Sequence, residues 1–352
     1  MDRVDLAVVG GGVIGALIAR EAVAAFPGAT VAVLERGMVG QGASSRSAGV
    51  HFPRGGTERV RSMSAYSQGV WEQLAAELDL PIRTVDATVV SSGDVDAVSP
   101  VYVRLGDETV PAGDWAALPG ARAWDLDGCH HADVQAVAGR VLAGLRDRVT
   151  VLEGTEVTEL SSDGEYHRLA LGPGRELLAR RVVLAPGPWI AHPAWAELVA
   201  PLGLRVKKVV ATHLEGAPAP GDPLVVFHDE DAFLLPLHER GHYLFSYTCD
   251  RWDVTPEDVG PVLEPSDLDD ARAVLGRFAP GLVDRCTSGR VFCDAYSPHR
   301  EPVVAELLPG LVFAGAANGS GYRLAPAIAA ETVAALDLTP TGSTSPLLQR
   351  QS

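Results

Sequence analysis

Near its start the chain reads Asp5-Leu-Ala-Val-Val-Gly10-Gly-Gly-Val-Ile-Gly15, in which an apolar run of strand length leads into a cluster of glycines. Gly10, Gly12 and Gly15 have the spacing G-x-G-x-x-G. This spacing permits a tight turn, a close approach of the backbone to a diphosphate, and close packing of a helix on a strand. The stretch therefore predicts a strand, a phosphate-binding turn and the start of a helix.

The following residues extend this stretch to a strand-helix-strand unit. Val13 to Ala25 has helical apolar spacing, and Thr30 to Leu34 is a second buried strand that leads directly to Glu35. Glu35 stands twenty residues after Gly15, where a carboxylate can accept hydrogen bonds from ribose hydroxyls. The free N–H groups and the dipole of a helix start favour a diphosphate. An ordinary glycine-rich turn does not explain this context, so we predict a dinucleotide site on a parallel sheet.

Length and composition allow two domains and exclude several classes of function. The chain has 352 residues, 47% of them hydrophobic, and a net charge of −16, which disfavours nucleic acid as a partner. No stretch reaches the roughly 18 to 20 apolar residues of a membrane span. The four cysteines lack the spacing of a metal site or a disulfide framework. We expect a cytoplasmic protein without a signal peptide, membrane span or metal.

Two kinds of pattern alternate along the rest of the chain. Short strand-like runs separated by Gly and Pro, typical of antiparallel sheets, occupy residues 81–124 and much of 204–247. Buried β-branched runs resembling the first strands recur at Val149–Leu152, Arg181–Ala185 and Gly310–Gly315. Further helices are predicted at Tyr66–Leu78, Ala132–Leu145, Pro265–Phe278 and Ala325–Leu336. The predicted division is a dinucleotide-binding domain of residues 1–80, 125–195 and 286–338, a substrate domain of 81–124 and 196–285, and a flexible tail of 339–352.

The nature of the cofactor depends on the segment Gly40-Gln-Gly-Ala-Ser44-Ser45-Arg46-Ser47-Ala48-Gly49-Val50, which is too polar for a core. It can supply hydroxyls and N–H groups to a diphosphate, although a flexible loop is the alternative reading. Here the sequence resembles the D-amino-acid oxidase, glycine oxidase and sarcosine oxidase family of flavoproteins, in which a Gly-Ala-Ser-Ser type of loop follows the dinucleotide fold. The resemblance implies FAD, whereas a nicotinamide cofactor fits the glycine motif alone.

The resemblance covers nearly the whole chain. Val182–Trp189 and Glu153–Val157 resemble the family's further nucleotide contacts, Phe233–Thr248 its substrate-domain hairpin, and Ala314–Pro326 its C-terminal flavin-binding segment. It implies an α/β fold with a Rossmann-like FAD-binding domain of the GR2 type and an antiparallel-sheet substrate domain. The residues assigned to FAD by the motif and the resemblance are Gly10, Gly12, Val13, Ile14, Gly15, Glu35, Arg36, Ser44, Ser45, Arg46, Ala48, Gly49, Val157, Ala185, Gly187, Trp189, Gly315, Asn318, Gly319, Ser320, Gly321 and Tyr322.

The candidate catalytic residues are His51, Tyr247, Asp294, Tyr296 and Arg323, each of which is also explained by an ordinary structural role. Asp294 stands where amino-acid oxidases commonly place an arginine for the substrate carboxylate. The departure implies that the substrate is not a simple α-amino acid, or that Arg323 or Arg300 binds its carboxylate. An aspartate there is also able to hold a second ammonium group.

Cysteine and lysine positions mark two further departures from the family. Cys293 lies one residue away from the position at which sarcosine oxidases attach the flavin, so we expect non-covalent FAD. Sarcosine oxidases use a lysine over the flavin to activate dioxygen, but the matching hairpin, Tyr243–Thr248, has none. Lys207 and Lys208, the only lysines, lie in a different predicted strand. Rapid reaction with dioxygen is therefore in question.

The resemblance implies hydride transfer to FAD from the carbon next to an amine, which gives an imine. The expected partners are a small amine or amino acid and either dioxygen or an electron carrier. A flavin dehydrogenase that passes electrons to a carrier is one alternative. A non-catalytic flavin-binding subunit is the other.

Overall fold

The predicted strand-helix-strand unit begins the fold in a computed structural model, which describes residues 2–110, 120–172 and 174–336. In chain order the strands are β1 (Asp2–Val9), β2 (Val31–Leu34), β3 (Val50–His51), β4 (Ile82–Thr84), β5 (Ala87–Ser91), β6 (Leu105–Thr109), β7 (Arg122–Leu126), β8 (His130–Ala132), β9 (Val149–Leu152), β10 (Glu159–Ser162), β11 (His167–Ala170), β12 (Glu176–Leu184), β13 (Arg205–Leu214), β14 (Leu224–Phe227), β15 (Ala232–Leu237), β16 (His242–Tyr247), β17 (Cys286–Tyr296), β18 (Val303–Leu308) and β19 (Leu311–Gly315). The helices are α1 (Val13–Ala25), α2 (Ala43–Arg46), α3 (Glu58–Glu77), α4 (Val95–Val98), α5 (Val134–Ala143), α6 (Ala196–Val199), α7 (Pro256–Val259), α8 (Pro265–Phe278) and α9 (Gly321–Ala334).

The first sheet carries the dinucleotide motif. Its order is β10-β11-β12-β1-β2-β9, with β19 also paired to β12 and β18 to β19. β1 is parallel to β2 and β12, and β19 is parallel to β12. The carboxyl ends of these parallel strands therefore meet at one edge, where open α/β sheets bind ligands. Helices α1, α3, α5 and α9 pack together over one face of this sheet.

The second sheet is mostly antiparallel, with the order β17-β13-β16-β15-β14-β5-β7-β6. Helix α8 packs against one of its faces, on β13, β16 and β17. A small third sheet, β3-β8-β4, carries His51 and His130 as opposed residues. None of the described helices is long and apolar enough to cross a membrane.

Several boundaries differ from the sequence-based expectation. Strand β17 belongs to the second sheet, paired along β13, although residues 286–296 were predicted with the dinucleotide-binding domain. The segment alternates buried and half-buried positions as an antiparallel strand does, but no turn marks where it leaves one domain for the other. Helix α3 starts eight residues before Tyr66 because Thr57 accepts a hydrogen bond from the N–H of Val60 and caps it. The predicted tail, 339–352, lies outside the described residues.

Candidate cofactor and substrate sites

The glycine turn has the close contacts that the motif requires. Gly10 has φ +110°, and a Cβ on it would lie 2.2 Å from the carbonyl oxygen of Ala185. A Cβ on Gly15 would lie 2.0 Å from the carbonyl oxygen of Gly10. At Gly12 the only neighbour of an added Cβ is the Oγ of Ser44, at 3.3 Å. Gly10 and Gly15 thus allow strand and helix to pack, while Gly12 keeps the backbone open toward a ligand.

Glu35 is held at the end of β2 by backbone amides. Its two carboxylate oxygens accept hydrogen bonds from the N–H groups of Gly11 and Gly37, each at 2.8 Å. The next residue, Arg36, lies over the ring of Trp189 at 4.0 Å from the ring centre. Trp189 in turn donates its indole N–H to Glu257 at 2.7 Å. The carboxylate and these two planar groups form one wall of a cavity along the carboxyl edge of the sheet.

This cavity has a volume of about 710 Å³ and brings together most of the predicted cofactor residues. Those that line it are Gly10, Gly12, Val13, Ile14, Gly15, Glu35, Arg36, Ser44, Arg46, Val157, Ala185, Gly187, Trp189, Gly319, Gly321 and Tyr322. Its lining also includes Thr155, which lies within the predicted contact segment Glu153–Val157, and His192 and residues 259–261, which no sequence motif marked. A long cavity with free N–H groups at one helix start fits a dinucleotide such as FAD.

The other six predicted cofactor residues do not line this cavity. Ser45, Ala48, Gly49, Gly315, Asn318 and Ser320 are outside the described lining. Ser45 donates its hydroxyl to the carbonyl of Gln41 at 2.7 Å. Asn318, at φ +54°, accepts from the N–H of Ser297 at 3.0 Å. Ser45 and Asn318 thus bond to the backbone of other residues. The sequence alone does not distinguish such residues from those that line the cavity.

Reciprocal hydrogen bonds join the Gly-Ala-Ser-Ser loop to the second sheet. Arg46 donates to the carbonyl of Val291 at 3.1 Å. Arg290 donates to the carbonyls of Arg46 and Ser47 at 2.8 and 3.0 Å. The loop that follows the dinucleotide unit is thereby tied to β17.

Three of the chemically important side chains lie on one face of β13 and β17. Asp294 and Tyr296 are two residues apart on β17 and therefore share a face, and Lys207 of β13 lies opposite Asp294. The Lys207 ammonium is 5.4 Å from the ring centre of Tyr296 and 4.9 Å from that of Trp252. Burial lowers the pKa of Lys207. Lys207 thus lies on the strand next to the hairpin, on the same face as Asp294.

Asp294 binds backbone rather than a cation. Its carboxylate accepts from the N–H of Ala295 at 2.9 Å and of Gly319 at 3.0 Å. Burial raises the pKa of Asp294 to about 6, and the two N–H donors oppose that rise. Its side chain therefore links β17 to the C-terminal loop at the cofactor cavity.

Arg323 lies at the start of α9 and is half-buried, with no carboxylate of the described residues in direct contact with it. It donates to the carbonyl of Phe52 at 3.3 Å and to the hydroxyl of Ser320 at 2.7 Å. Its guanidinium lies 4.5 Å from the centre of the Phe52 ring. No carboxylate of the described residues lies within 4.0 Å of it. Burial, followed by repulsion from Arg54, lowers the pKa of Arg323 to about 9.

An ion pair near Arg323 was not indicated by the sequence. Arg54 donates to Asp231 at 2.9 Å, and its guanidinium lies 5.8 Å from the Phe52 ring centre. Asp231 occupies a turn position with φ +47°, and Thr248 donates to its carboxylate at 3.2 Å. The two residues are 177 positions apart, so nothing local in the sequence brings them together.

Two candidate catalytic residues lie elsewhere. Tyr247 points toward α8, where its hydroxyl donates to the carbonyl of Asp267 at 3.4 Å within the apolar core. Side chains alternate between the two faces of β16, and Tyr247 lies on the face of the sheet opposite to Lys207. A shift of one residue in the strand register would reverse this assignment. His51 is fully buried and stacks on His130 rather than lining the cofactor cavity. Among the described residues no cluster of His, Cys, Asp and Glu is arranged to hold a metal.

Comparisons with known proteins agree with this geometry. The family model described as DAO, FAD dependent oxidoreductase, matches residues 5–335. The chain belongs to this family. It is therefore an FAD-dependent oxidoreductase. No match was found among curated protein sequences.

Solved structures share the fold over nearly the full length of this FAD-dependent oxidoreductase. Glycine oxidase from Geobacillus kaustophilus is 19% identical, with a TM-score of 0.75 over 98% of this chain and 100% of that one. L-proline dehydrogenase from P. horikoshii is 17% identical, with a TM-score of 0.76 over 94% and 92%. NikD, described as an unusual amino acid oxidase, is 17% identical, with a TM-score of 0.72 over the whole of both chains.

Proposed function

We propose that this protein oxidises the C–N bond next to the carboxylate of an amino acid that carries a sizeable side chain. FAD, when bound, accepts the hydride from the α-carbon, and the product is an imine. The observation that carries the proposal is the half-buried guanidinium of Arg323 at the start of α9, whose buried Nε has no hydrogen-bond partner among the described residues and which follows the cavity-lining residue Tyr322. Oxidation of an amino acid is the reaction named for the structurally similar glycine oxidase and L-proline dehydrogenase.

Arg323 is suited to bind a substrate carboxylate. A buried guanidinium is expensive unless an anion pairs with it, and its planar donors match a carboxylate. The nearby Arg54 is already neutralised by Asp231. Asp294 uses its oxygens on backbone N–H groups, so it does not supply the anion. The carboxylate of an amino acid satisfies Arg323 and fixes the orientation of the α-carbon.

Aromatic residues beside Arg323 favour a larger substrate. Phe52 contacts Phe233 edge to face at 6.0 Å between ring centres, and Arg54 lies over both Phe52 and Tyr102. Because Phe52 and Tyr102 are buried, an apolar side chain would pack against the half-buried Phe233 and gain about 25 cal/mol per Å² of buried surface. Glycine and alanine lack that surface.

Dioxygen is a candidate electron acceptor because of Lys207. A buried ammonium such as that of Lys207 favours any acceptor that becomes negatively charged as it takes up electrons. The absence of a lysine in Tyr243–Thr248 favoured a carrier, but Lys207 of β13 places a positive charge opposite Asp294, 5.4 Å from the ring centre of Tyr296. We therefore place the oxidase ahead of the dehydrogenase.

Anaerobic titration of the FAD-loaded protein with amino acids tests the proposal. We expect loss of the visible flavin absorbance with a large neutral or aromatic amino acid, and little loss with simple amines that lack a carboxylate. Bleaching by amines alone would contradict the role of Arg323. A protein that keeps its FAD but is bleached by no amine or amino acid would instead be a non-catalytic flavin-binding subunit.

A further inference from the structure

Two histidines form a stacked pair inside the protein. His51 of β3 and His130 of β8 are directly opposed in the small third sheet. Their ring centres are 4.7 Å apart, and the ring planes differ by 5°. The residues are 0% and 5% exposed, so water outside the protein does not reach them directly.

The pair lies in a cluster of buried polar atoms without protein partners. Among the described residues, these atoms are both ring nitrogens of His51, Nε2 of His130, Oη of Tyr322, Nε1 of Trp71 and Oε1 of Gln68. The rings of Trp71 and Tyr322 are 4.7 Å apart, and His130 is 5.8 Å from Tyr322. Buried polar groups are nearly always hydrogen-bonded, and internal water satisfies those that protein does not. So many unpartnered atoms in one place indicate a site for water.

The cluster separates two cavities. Tyr322 lines the cofactor cavity. His130, Trp71 and Gln68 line a second cavity of about 580 Å³, whose wall also includes Glu72. A chain of water and imidazole rings between Tyr322 and His130 would connect the two.

We propose that His51 and His130 hold internal water and carry protons from the substrate side of the cofactor cavity to the second cavity. This role rests on the proposed oxidation of an amino acid. The ammonium form of the substrate must first lose an N–H proton, and the electron pair of that bond stays on nitrogen. The C–H bond then breaks with its electron pair leaving as hydride to FAD, and the nitrogen lone pair forms the C=N bond. The N–H proton is the one that needs a path out.

The surrounding charges suit proton transfer rather than proton storage. Burial, followed by His130 and Arg323, holds the pKa of His51 well below its usual value. Gln68 and the Arg323 backbone oppose this lowering, although neither reaches hydrogen-bond geometry. Burial, followed by His131, lowers the pKa of His130 to about 4. Both rings are therefore neutral near pH 7, able to accept a proton on one nitrogen and release one from the other.

The direction of transfer follows from the charges at the two ends. Arg323, on the substrate side, repels a proton on His51. The second cavity carries the acidic residues Glu72, Asp86 and Asp127 in its wall. A proton therefore moves down the electrostatic gradient toward the second cavity.

Replacing His130 by phenylalanine tests the relay, because the flat ring is kept and both nitrogens are removed. The matched control is His131→Phe, which changes the next residue of β8, equally buried but on the opposite side of the strand. In a single anaerobic turnover of the FAD-loaded enzyme, proton release is followed with an indicator dye beside flavin bleaching. We expect His130→Phe to slow proton release about tenfold or more. We expect no such change in His131→Phe.

Equal proton release in the wild type and His130→Phe, with normal bleaching, would overturn the relay. If that variant does not fold, His130→Gln is measured in the same way, because an amide fills the space and binds water without relaying protons. A crystal structure of the wild type gives a second result that is independent of turnover. Ordered water within hydrogen-bond distance of His51 and Tyr322 Oη is expected, and a dry cluster would also overturn the relay. Failure of every amino acid to bleach the flavin refutes the proposed function, whereas the water positions still decide the cluster.

Discussion

The carboxylate of Asp294 accepts a hydrogen bond from the backbone N–H of Gly319 at 3.0 Å, and this bond joins β17 to the loop before α9. The loop borders the cofactor cavity and leads to Tyr322 and Arg323. Asp294 therefore lies in the wall of the cavity and also holds the loop that borders it.

Asp294→Ala should weaken FAD binding by about 1 to 3 kcal/mol, the range for losing a hydrogen bond to a charged group. The Kd for FAD of the reconstituted apoprotein measures the effect. Asp294→Asn, which keeps one acceptor oxygen, should lie between the wild type and Asp294→Ala. Equal affinity in all three proteins would show that the loop does not depend on this bond.

The pKa of Asp294 also predicts a pH dependence of stability. Burial raises this pKa to about 6 in the folded protein, above the ordinary value of 3.8. The folded state binds the proton of Asp294 more tightly than the unfolded state does, so protonation stabilises the folded protein. This contribution to the free energy of unfolding is fully present below pH about 4 and is lost as the pH rises through about 6. Relative to Asp294→Asn, the free energy of unfolding of the wild type should fall across this window. Parallel pH profiles from denaturant unfolding would contradict the prediction.

Glu35 and Gly12 test the dinucleotide site. Gly12→Leu should abolish FAD retention, because a side chain there meets the space beside Ser44 that the backbone leaves open. Glu35→Ala should weaken FAD binding by about 1 to 3 kcal/mol. Glu35→Gln is the control, since it keeps an acceptor for the N–H of Gly11 but loses the charge. Wild-type affinity in Glu35→Ala would mean that this carboxylate does not bind the ribose.

Much of the fold follows from local sequence. The helices Val13–Ala25 and Pro265–Phe278 begin and end at the predicted residues, because glycine or proline marks their limits. The carboxyl edge of the sheet follows from the glycine motif and Glu35. The pairing of Arg54 with Asp231 does not, because it depends on how distant turns meet in space.

The side of a strand on which a residue lies was equally hard to predict. Tyr247 was expected at the site and Lys207 was not, yet strand register turns Tyr247 to the α8 face and Lys207 to the face of Asp294. A shift of one residue in either strand reverses such an assignment. Sequence patterns identified the chemistry of the cofactor site better than that of the substrate site because phosphate binding uses consecutive backbone groups.

Lys207→Met should slow the reaction of the reduced protein with dioxygen by at least about tenfold. Reduction by substrate and electron transfer to an artificial carrier should change much less, since neither needs this positive charge to the same degree. Stopped-flow reoxidation measures the rate of the reaction with dioxygen. Lys208→Met is the control for loss of a buried lysine, because Lys208 lies on the other face of the sheet and pairs with Asp267. Unchanged reoxidation in Lys207→Met would favour the carrier-dependent dehydrogenase.

The FAD should be non-covalent. Cys293 donates to the carbonyl of Thr255 at 3.8 Å, and burial raises its pKa to about 12, so the reactive thiolate is disfavoured. Acid precipitation should release all the yellow colour into the supernatant, in the wild type and in Cys293→Ser alike. Colour that stays with the wild-type precipitate and is lost in Cys293→Ser would place the attachment at this cysteine.

Substrate choice should depend on Arg323 and on side-chain size. Arg323→Met should lower kcat/KM for the best amino acid. The corresponding loss of transition-state stabilisation should be about 2 to 5 kcal/mol, the range for removing one partner of a hydrogen-bonded charge pair. Arg300→Met should leave it nearly unchanged, because Arg300 is exposed. Glycine, sarcosine and D-alanine should be poor substrates because they bury little apolar surface against the half-buried Phe233. Fast anaerobic bleaching by glycine or D-alanine, at the micromolar to low millimolar concentrations of ordinary substrates, would show that the carboxylate and amine suffice and that the aromatic residues do not select for size.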